Sequence, residues 1–248
     1  MSDGLRARLG GDIAGVAVFT DFDGVLAPLV DDPNQARPSE GAVEALTGLV
    51  RDGADVTVIS GRPVAFLAER ISDPGIDLIG LYGLEQRLAG ELSTHPAAVA
   101  WEPVVAEVAD RALSELRDTR VEEKGVSLTL HFREAPERAA EVESWAAEIA
   151  ESSGLEIRPA RQSVELHPPV PVDKGTALAA MTSAEATAVV YLGDDVGDLP
   201  AFRAVGPTAG DRPALRVVVR NDGVRDELAE IADVLLDSAH VVTGFLDP

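Results

Sequence analysis

A short apolar segment followed at once by two aspartates constrains the fold of this chain more than any other feature. Residues 16–20, VAVFT, have the length and composition of a buried strand. Asp21 and Asp23 come directly after it, and burying two like charges together is costly unless a cation or a reaction uses them. Gly24 then lets the backbone turn and approach a ligand closely. Because ligand sites of parallel α/β sheets lie beyond the carboxyl ends of the strands, we interpret this stretch as a candidate active site.

Other segments repeat this pattern of a buried strand with a polar end. Residues 56–59 precede Ser60-Gly61-Arg62-Pro63, and residues 188–192 precede Gly193-Asp194-Asp195-Val196-Gly197-Asp198. Helical periodicity separates the strands: Ser39 is expected to cap one helix, and the helix after Pro63 is expected to include Ile71. Alternating strands and helices predict an α/β fold with a parallel sheet and right-handed crossovers.

The pattern changes between about residues 101 and 171. From 126 to 133, apolar side chains alternate with polar ones, and the same alternation recurs from 163 to 167. Period-two alternation predicts a sheet with one packed face and one open face. The open face is expected to carry Glu122, Lys124, His131, Arg133 and Glu165. We therefore predict a catalytic core formed by residues 1–100 and 172–248, interrupted by an inserted α/β domain at 101–171. Alternation alone fits a solvated or partner-covered face about equally well.

Composition excludes several classes of protein. The 248 residues are 46% apolar, which is typical of a globular chain, and no apolar run is long enough to span a membrane. A formal net charge of −22 disfavours binding to nucleic acid and to anionic membrane surfaces. The absence of cysteine excludes disulfides and thiolate catalysis. The first residues lack the apolar core of a signal peptide, so we expect a cytoplasmic protein, and we expect it to be a monomer.

The polar motifs fit phosphoryl transfer when they are considered together. Alone, each is more typical of a turn or a helix cap. At one sheet edge, a carboxylate can attack phosphorus while a second carboxylate moves the proton. Asp21 and Asp194 offer the hard oxygen ligands that Mg²⁺ prefers. Ser60 and Lys174 offer a hydrogen-bond donor and a cation for phosphate oxygens.

These motifs resemble, in order, those of the haloacid dehalogenase superfamily: Asp21-x-Asp23-Gly24, Ser60-Gly61-Arg62, Lys174-Gly175 and Gly193-Asp194-Asp195-x-x-Asp198. The resemblance implies a Rossmann-like core with an inserted C2-type cap. It implies that Asp21 is the nucleophile and Asp23 the general acid and base. It further implies phosphate binding by Ser60, Gly61, Arg62 and Lys174. Mg²⁺ would be held by Asp21, the backbone carbonyl of Asp23 and Asp194, and supported by Asp195 and Asp198.

The inserted domain narrows the resemblance to one family. Glu122-x-Lys124, His131-Phe132-Arg133 and the stretch around Glu165 resemble signatures of trehalose-6-phosphate phosphatases. This implies Mg²⁺-dependent hydrolysis of trehalose 6-phosphate, with those residues contacting the sugar phosphate, and a functional link to a trehalose-6-phosphate synthase. The chain departs from the family pattern at Val25, Tyr82 and Leu199. Three alternatives stay open: a phosphatase for a sucrose- or glucosylglycerol-type phosphate, a phosphomutase, and a non-catalytic carbohydrate-binding module.

Overall fold

A computed structural model of the chain describes residues 3–30, 32–160, 162–221 and 226–247. The chain divides into two compact units, Met1–Ser93 together with Val172–Pro248, and Thr94–Pro171. We refer to the first as the core unit and to the second as the inserted unit.

Strands and helices alternate through most of the core unit. The bounds that follow cover both units in chain order. In chain order the strands are β1 Val16–Thr20, β2 Asp55–Ile59, β3 Ile76–Gly80, β4 Glu85–Leu88, β5 Glu91–Thr94, β6 Arg120–Glu123, β7 Leu128–His131, β8 Glu156–Ala160, β9 Ser163–His167, β10 Ala188–Gly193, β11 Ala214–Val219 and β12 Val234–Leu236. The α-helices are α1 Leu5–Arg8, α2 Ala42–Arg51, α3 Val64–Ala68, α4 Pro96–Val99, α5 Glu102–Glu115, α6 Ala139–Ser153, α7 Lys174–Met181, α8 Leu199–Ala209, α9 Asp226–Ile231 and α10 Val242–Leu246.

The described residues of the core unit build a sheet in the order β12-β11-β10-β1-β2-β3-β4-β5. The pairs from β12 to β3 are parallel, and β4 runs antiparallel to β3. Strand β1 lies between β10 and β2, with Val18 opposite both Val190 and Val56. The carboxyl ends of these three strands therefore lie side by side. The predicted α/β class with a mostly parallel sheet is confirmed.

Two apolar layers cover the faces of this sheet. Val16 and Val18 point into a cluster that includes Leu46 and Leu49 of α2. Ala17 and Phe19, together with α7 and α8 side chains, belong to the cluster on the other face. Every residue of β1 and β10 is buried, as expected for strands covered on both faces. Helices on both sides thus leave the strand ends as the place for polar side chains.

The structure corrects two details of the predicted core. Helix α2 is preceded by Gly41 in the left-handed region at φ 77°, and Ser39 makes no cap. The Ser39 N–H instead donates to the Leu26 carbonyl, and the Ser39 carbonyl accepts the Ala42 N–H. The buried Ser39 hydroxyl has no hydrogen-bond partner among the described residues. Helix α3 ends at Ala68 rather than including Ile71. The antiparallel strand β4 and its neighbour β5 were also not predicted, because neither segment contains an apolar run, and most of β5 is exposed.

The inserted unit is a one-sided α/β layer. Its described strands pair antiparallel in the order β6-β7-β9-β8. Leu128, Leu130, Val164 and Leu166 form an apolar cluster with side chains of α5 and α6. The predicted alternation is therefore confirmed for the packed face.

The opposite face is a polar sheet face whose centre is less open than predicted. Ser127, Thr129 and Glu165 are only 0%, 4% and 3% exposed. Cross-strand register places Glu122, Thr129 and Glu165 in one row across β6, β7 and β9. Directly opposed side chains on neighbouring strands are close enough to pair. The polar groups of this face interact with one another, which the alternation pattern could not reveal.

Candidate active site

Asp21 occupies the position just beyond the central strand of the core sheet. Its N–H donates to the carbonyl of Leu192 at 2.9 Å, which continues the β1 to β10 ladder by one residue. Its Oδ1 accepts the N–H of Phe22 at 2.7 Å, and its Oδ2 lies 2.9 Å from Lys174 Nζ. The side chain is buried, with 6% of the residue exposed. One carboxylate oxygen is thus fixed by the backbone and the other by a cation.

Lys174 is the first residue of α7 and is placed by a strong helix start. Asp173 accepts Thr176 N–H at 2.7 Å, and Thr176 Oγ1 accepts Asp173 N–H at 2.8 Å. Lys174 Nζ donates to Asp198 Oδ1 at 2.6 Å and also faces Asp21. Burial opposes the charged ammonium, yet the carboxylates of Asp198 and Asp21 raise the pKa of Lys174 well above its ordinary value. Lys174 therefore links two carboxylates, and their charges favour its protonated form.

Asp198 is the most fully engaged carboxylate of the site. It is buried, and its oxygens accept four hydrogen bonds, from Lys174 Nζ at 2.6 Å, Tyr191 Oη at 2.5 Å, Asp194 N at 2.8 Å and Asp195 N at 3.1 Å. Each oxygen has two donors, so Asp198 holds the loop and the lysine in place. Tyr191 was missed by sequence reasoning, because within an apolar strand it is indistinguishable from a core aromatic residue.

Asp194 follows β10 and completes the acidic cluster. Its Oδ2 accepts a short hydrogen bond from Asn221 Nδ2. Burial, followed by the charges of Asp198 and Asp21, raises the pKa of Asp194 to about 10. Burial is also the main cause that raises the pKa of Asp21. Asn221 was not predicted either, although a polar residue shortly after β11 was the available signal.

Two motif glycines make room for these carboxylates. A Cβ on Gly24, whose φ is +76°, would lie 2.0 Å from Asp194 Oδ2. A Cβ on Gly193 would lie 2.6 Å from Asp198 Cγ. Contacts this short cannot be relieved by a small shift of a tightly bonded carboxylate. The glycines thus allow the acidic loop after β10 to approach the end of β1.

The carboxylate cluster fits a hard divalent cation. Oxygens of Asp21, Asp194 and Asp198 all lie within 4.8 Å of one another, and the three residues are buried. Because burial and mutual repulsion raise the pKa values of Asp21 and Asp194, a cation between them would remove an electrostatic cost. Asp198 already bonds four donors, so Asp21 and Asp194 are the residues available to hold such an ion.

The Ser60-Gly61-Arg62 motif follows β2, next to β1. Ser60 is buried, and its Oγ accepts Arg62 N–H at 3.2 Å. A Cβ on Gly61 would lie 2.6 Å from the Tyr82 ring, so glycine permits this aromatic contact. The Arg62 guanidinium donates two hydrogen bonds to Asp23, at 2.7 and 2.8 Å. Phosphate binding by this motif stays a prediction, and the structure gives Arg62 a carboxylate partner.

The structure brings most of the predicted core residues together. Asp21, Lys174, Asp194 and Asp198 form one bonded cluster. Asp195 instead caps the following turn, where its Oδ1 accepts Gly197 N–H at 2.7 Å. The predicted supporting role of Asp195 toward a metal therefore stays a prediction.

Four of the five predicted sugar-contacting residues, Glu122, Lys124, His131 and Glu165, pair with neighbours on the polar face of the inserted unit. Glu122 Oε2 is 2.7 Å from His131 Nε2. Glu165 Oε1 accepts Ser127 Oγ–H at 2.7 Å and lies 3.7 Å from Lys124 Nζ. The buried hydroxyl of Thr129 has no hydrogen-bond partner among the described residues. Arg133 follows β7 and is half-buried.

Comparisons with known proteins agree on one family. The family model described as trehalose-phosphatase matches residues 19–233. A trehalose-phosphate phosphatase of Mycobacterium ulcerans (strain Agy99) is 36% identical over 208 residues, covering 77% of this chain and 52% of the relative. A trehalose-phosphate phosphatase of Mycobacterium bovis (strain BCG / Pasteur 1173P2) is 35% identical over 262 residues, covering 100% of this chain and 63% of the relative. This chain thus spans about half the length of the first relative.

A solved structure supports the fold. The C-terminal domain of the trehalose-6-phosphate phosphatase of C. albicans superposes with a TM-score of 0.77 at 22% identity, covering 99% of this chain and 97% of that one. Within the residues that the structure describes, no helix has both the length and the apolar character needed to cross a membrane.

Proposed function

This chain belongs to the trehalose-phosphatase family, and from that premise we propose that it hydrolyses trehalose 6-phosphate to trehalose and phosphate. The observation that carries the proposal is the position of Asp21. Its carboxylate lies beyond the central strand, 2.9 Å from a buried lysine and within 4.8 Å of two further acids. A phosphate monoester dianion needs such a fixed cationic environment beside an attacking oxygen.

Hydrolysis would proceed in two displacements at phosphorus. Asp21 attacks phosphorus, the bond to the sugar oxygen breaks, and Asp23 gives its proton to that oxygen as trehalose leaves. Water then attacks the aspartyl-phosphate, its proton returns to Asp23, and the bond from phosphorus to Asp21 breaks. Phosphate leaves and both carboxyl groups regain their starting protonation states.

The remaining residues of the site would orient the substrate phosphate and offset negative charge. Lys174 offsets the charge of Asp21, while Asp198 fixes Lys174 through a 2.6 Å bond. Ser60 lies at the end of the neighbouring strand, and its hydroxyl would donate a hydrogen bond to a phosphate oxygen. Mg²⁺, held by Asp21, Asp194 and the Asp23 carbonyl, would supply further positive charge for the phosphate oxygens.

Recognition of the sugar is assigned to the polar face of the inserted unit. Carboxylate, ammonium and imidazole groups suit a ligand rich in hydroxyls, because each offers directional hydrogen bonds. The proposed contacts are Glu122, Lys124, His131, Arg133 and Glu165, and the inserted unit would act as a specificity cap.

The substrate would come from a trehalose-6-phosphate synthase. We also propose a monomeric, cytoplasmic protein, for which light scattering would test the monomer.

The decisive test is phosphate release from a panel of phosphorylated substrates. Trehalose 6-phosphate should give the highest kcat/KM, above sucrose 6-phosphate, glucosylglycerol phosphate and glucose 6-phosphate, and EDTA should abolish release. Asp21→Asn keeps the shape of the nucleophile but removes its charge, so turnover should fall by at least about 10³-fold. Near-normal activity of Asp21→Asn, or preference for another sugar phosphate, would overturn the assignment. Conversion to an isomeric sugar phosphate without phosphate release would indicate a mutase.

A further inference from the structure

The Asp23 carboxylate is held by a two-point contact with Arg62. Arg62 Nε donates to Asp23 Oδ2 at 2.7 Å, and Arg62 Nη2 donates to Asp23 Oδ1 at 2.8 Å. A bidentate pair fixes the plane of a carboxylate as well as its distance, which a single point charge cannot do. The arginine side chain is 14% exposed and the aspartate side chain 28% exposed, so the pair is partly protected from water.

The Arg62 guanidinium also packs against an aromatic ring of the core unit. Arg62 Cζ lies 4.5 Å from the centroid of the Phe66 ring. Phe66 packs edge to face against Phe22, with centroids 5.8 Å apart and an interplanar angle of 88°. Phe22 in turn separates Asp21 from Asp23 in the sequence. The Phe22–Phe66 pair therefore connects the turn that carries Asp21 and Asp23 to Arg62. Arg62 in turn bonds Asp23.

The geometry points to a role for Arg62 that differs from phosphate binding. We propose that Arg62 is a positioning residue that fixes the orientation of Asp23 for proton transfer to the leaving oxygen. The inference rests on the proposed phosphatase function. A carboxylate has about four lone-pair sites, and the bidentate contact uses one on each oxygen. A further site on each oxygen stays open for the proton that moves during the reaction.

The choice of leaving group separates positioning from phosphate binding. A sugar alkoxide leaves poorly unless it is protonated, whereas p-nitrophenolate is a stable anion that leaves without a proton. The value of kcat/KM includes only the steps up to formation of the aspartyl-phosphate, so the shared hydrolysis of that intermediate does not obscure the comparison. A residue that acts through Asp23 affects the sugar phosphate selectively, and a residue that binds phosphate affects both substrates equally.

Arg62→Lys and Arg70→Lys form a matched pair of variants. Arg70 also lies over the Phe66 ring, with Cζ 3.5 Å from the centroid, but its hydrogen bonds go to the Ala36, Phe66 and Asn34 carbonyls and to Glu69. Both changes keep a positive charge beside the same ring and remove a planar fork. Only Arg62→Lys removes the two-point grip on Asp23.

The experiment measures kcat/KM on trehalose 6-phosphate and p-nitrophenyl phosphate for the purified full chain. We expect Arg62→Lys to lose about 10²-fold on the sugar phosphate, within the usual contribution of a general acid, and less than about 5-fold on p-nitrophenyl phosphate. Arg70→Lys should leave the ratio of the two values unchanged. The inhibition constant of inorganic phosphate should stay within about 3-fold in Arg62→Lys, because a phosphate contact would contribute more than that. Equal losses on both substrates, or phosphate inhibition weakened more than tenfold, would overturn the proposal.

A double variant provides a second, independent readout. In the Asp23→Asn background no proton is delivered, so adding Arg62→Lys should cause no further loss on trehalose 6-phosphate. Losses that multiply would mean that Arg62 acts without Asp23. If the unmodified chain hydrolyses another alkyl phosphate instead of trehalose 6-phosphate, the proposed function fails, and the same ratio measured with that substrate still decides the role of Arg62.

Discussion

The acidic centre of the core unit and the polar face of the inserted unit both bury charged side chains, but they balance those charges differently. In the centre, Asp21, Asp194 and Asp198 share the charge of Lys174. If all three carboxyl groups were ionised, negative charge would exceed positive charge, and burial is the main cause that raises the pKa of Asp194 to about 10. A bound cation would favour the ionised form of these carboxyl groups.

The polar groups of the polar face pair with one another. Glu122 pairs with His131, while Glu165 contacts both Ser127 and Lys124. The two regions also use strands differently. The centre collects residues from the ends of parallel strands, whereas the polar face collects them from cross-strand rows of an antiparallel sheet. We therefore expect a bound cation to lower the electrostatic cost of the centre and to have little effect on the polar face.

Alanine at Gly24 should have the largest effect, because it forces the two strand ends of the centre apart. Gly24 and Gly125 have nearly the same φ, +76° and +77°. Alanine at either should cost about 1–2 kcal/mol for the left-handed conformation. A Cβ at Gly24 also meets Asp194 Oδ2 at 2.0 Å, whereas a Cβ at Gly125 meets nothing within 4 Å. Gly24→Ala should therefore lose about 10²-fold more activity than Gly125→Ala, as expected when a group of the site is displaced by about 1 Å.

The comparison needs a control within the core unit. Gly90 has φ +85° and open space around its Cβ position, so Gly90→Ala carries the strain without the clash. Phosphate release and thermal unfolding should be measured for all three variants. If Gly24→Ala and Gly90→Ala behave alike, the close approach of Asp194 to the turn after β1 does not matter for activity.

Magnesium should stabilise the centre and leave the inserted unit almost unaffected. At a Mg²⁺ concentration of 100 times the dissociation constant, binding to the folded state adds about 2.7 kcal/mol. Hydrogen–deuterium exchange should slow in β1 and β10 but not in β7 and β9. Asp194→Asn keeps a hydrogen-bonding side chain but removes a ligand charge, and it should cancel most of the effect. Equal protection of both sheets would contradict the proposed difference between the regions.

How much of each region could be predicted follows from the same difference. Strand β1 was predicted with its observed bounds, and the residues at strand ends met because parallel sheets align their carboxyl ends. Tyr191 and Asn221 escaped prediction because their partners depend on side-chain directions across neighbouring strands. The two hydrogen bonds from Arg62 to Asp23 depend on the geometry of the turns after β1 and β2, which the spacing of residues in the sequence does not indicate. In the inserted unit, alternation predicted which side chains share a face, but it carries no information on whether they pair with one another.

Removal of Glu165 should expose how the polar face is balanced. Glu165→Ala leaves Ser127 without its acceptor and Lys124, whose side chain is 9% exposed, without its counterion. We expect the free energy of unfolding of the inserted unit to fall by about 2 kcal/mol, which is typical of the loss of a hydrogen bond to a buried charged group. We also expect kcat/KM to fall more for trehalose 6-phosphate than for p-nitrophenyl phosphate. Both tryptophans, Trp101 and Trp145, lie in this unit, so their fluorescence follows its unfolding.

Two further variants calibrate the Glu165 measurement. Glu148→Ala removes an exposed carboxylate from α6 and should change stability by less than about 0.5 kcal/mol. Lys124→Met combined with Glu165→Met should recover part of the lost stability, because no charge is then left buried alone. Equal loss on both substrates would show that Glu165 does not contact the sugar.

The smallest expected effect concerns His167, which ends β9 on the polar side. Burial, followed by the charge of Arg158, lowers the pKa of His167 below its ordinary value of 6.5. The unfolded chain therefore binds this proton at higher pH than the folded chain, so the stability contributed by neutral His167 is complete above about pH 6.5 and is lost as pH falls below it. The difference in unfolding free energy between the unmodified chain and His167→Asn should thus shrink from pH 7 to pH 5. The measurement follows unfolding by tryptophan fluorescence, and a constant or growing difference would show that folding does not oppose protonation of His167.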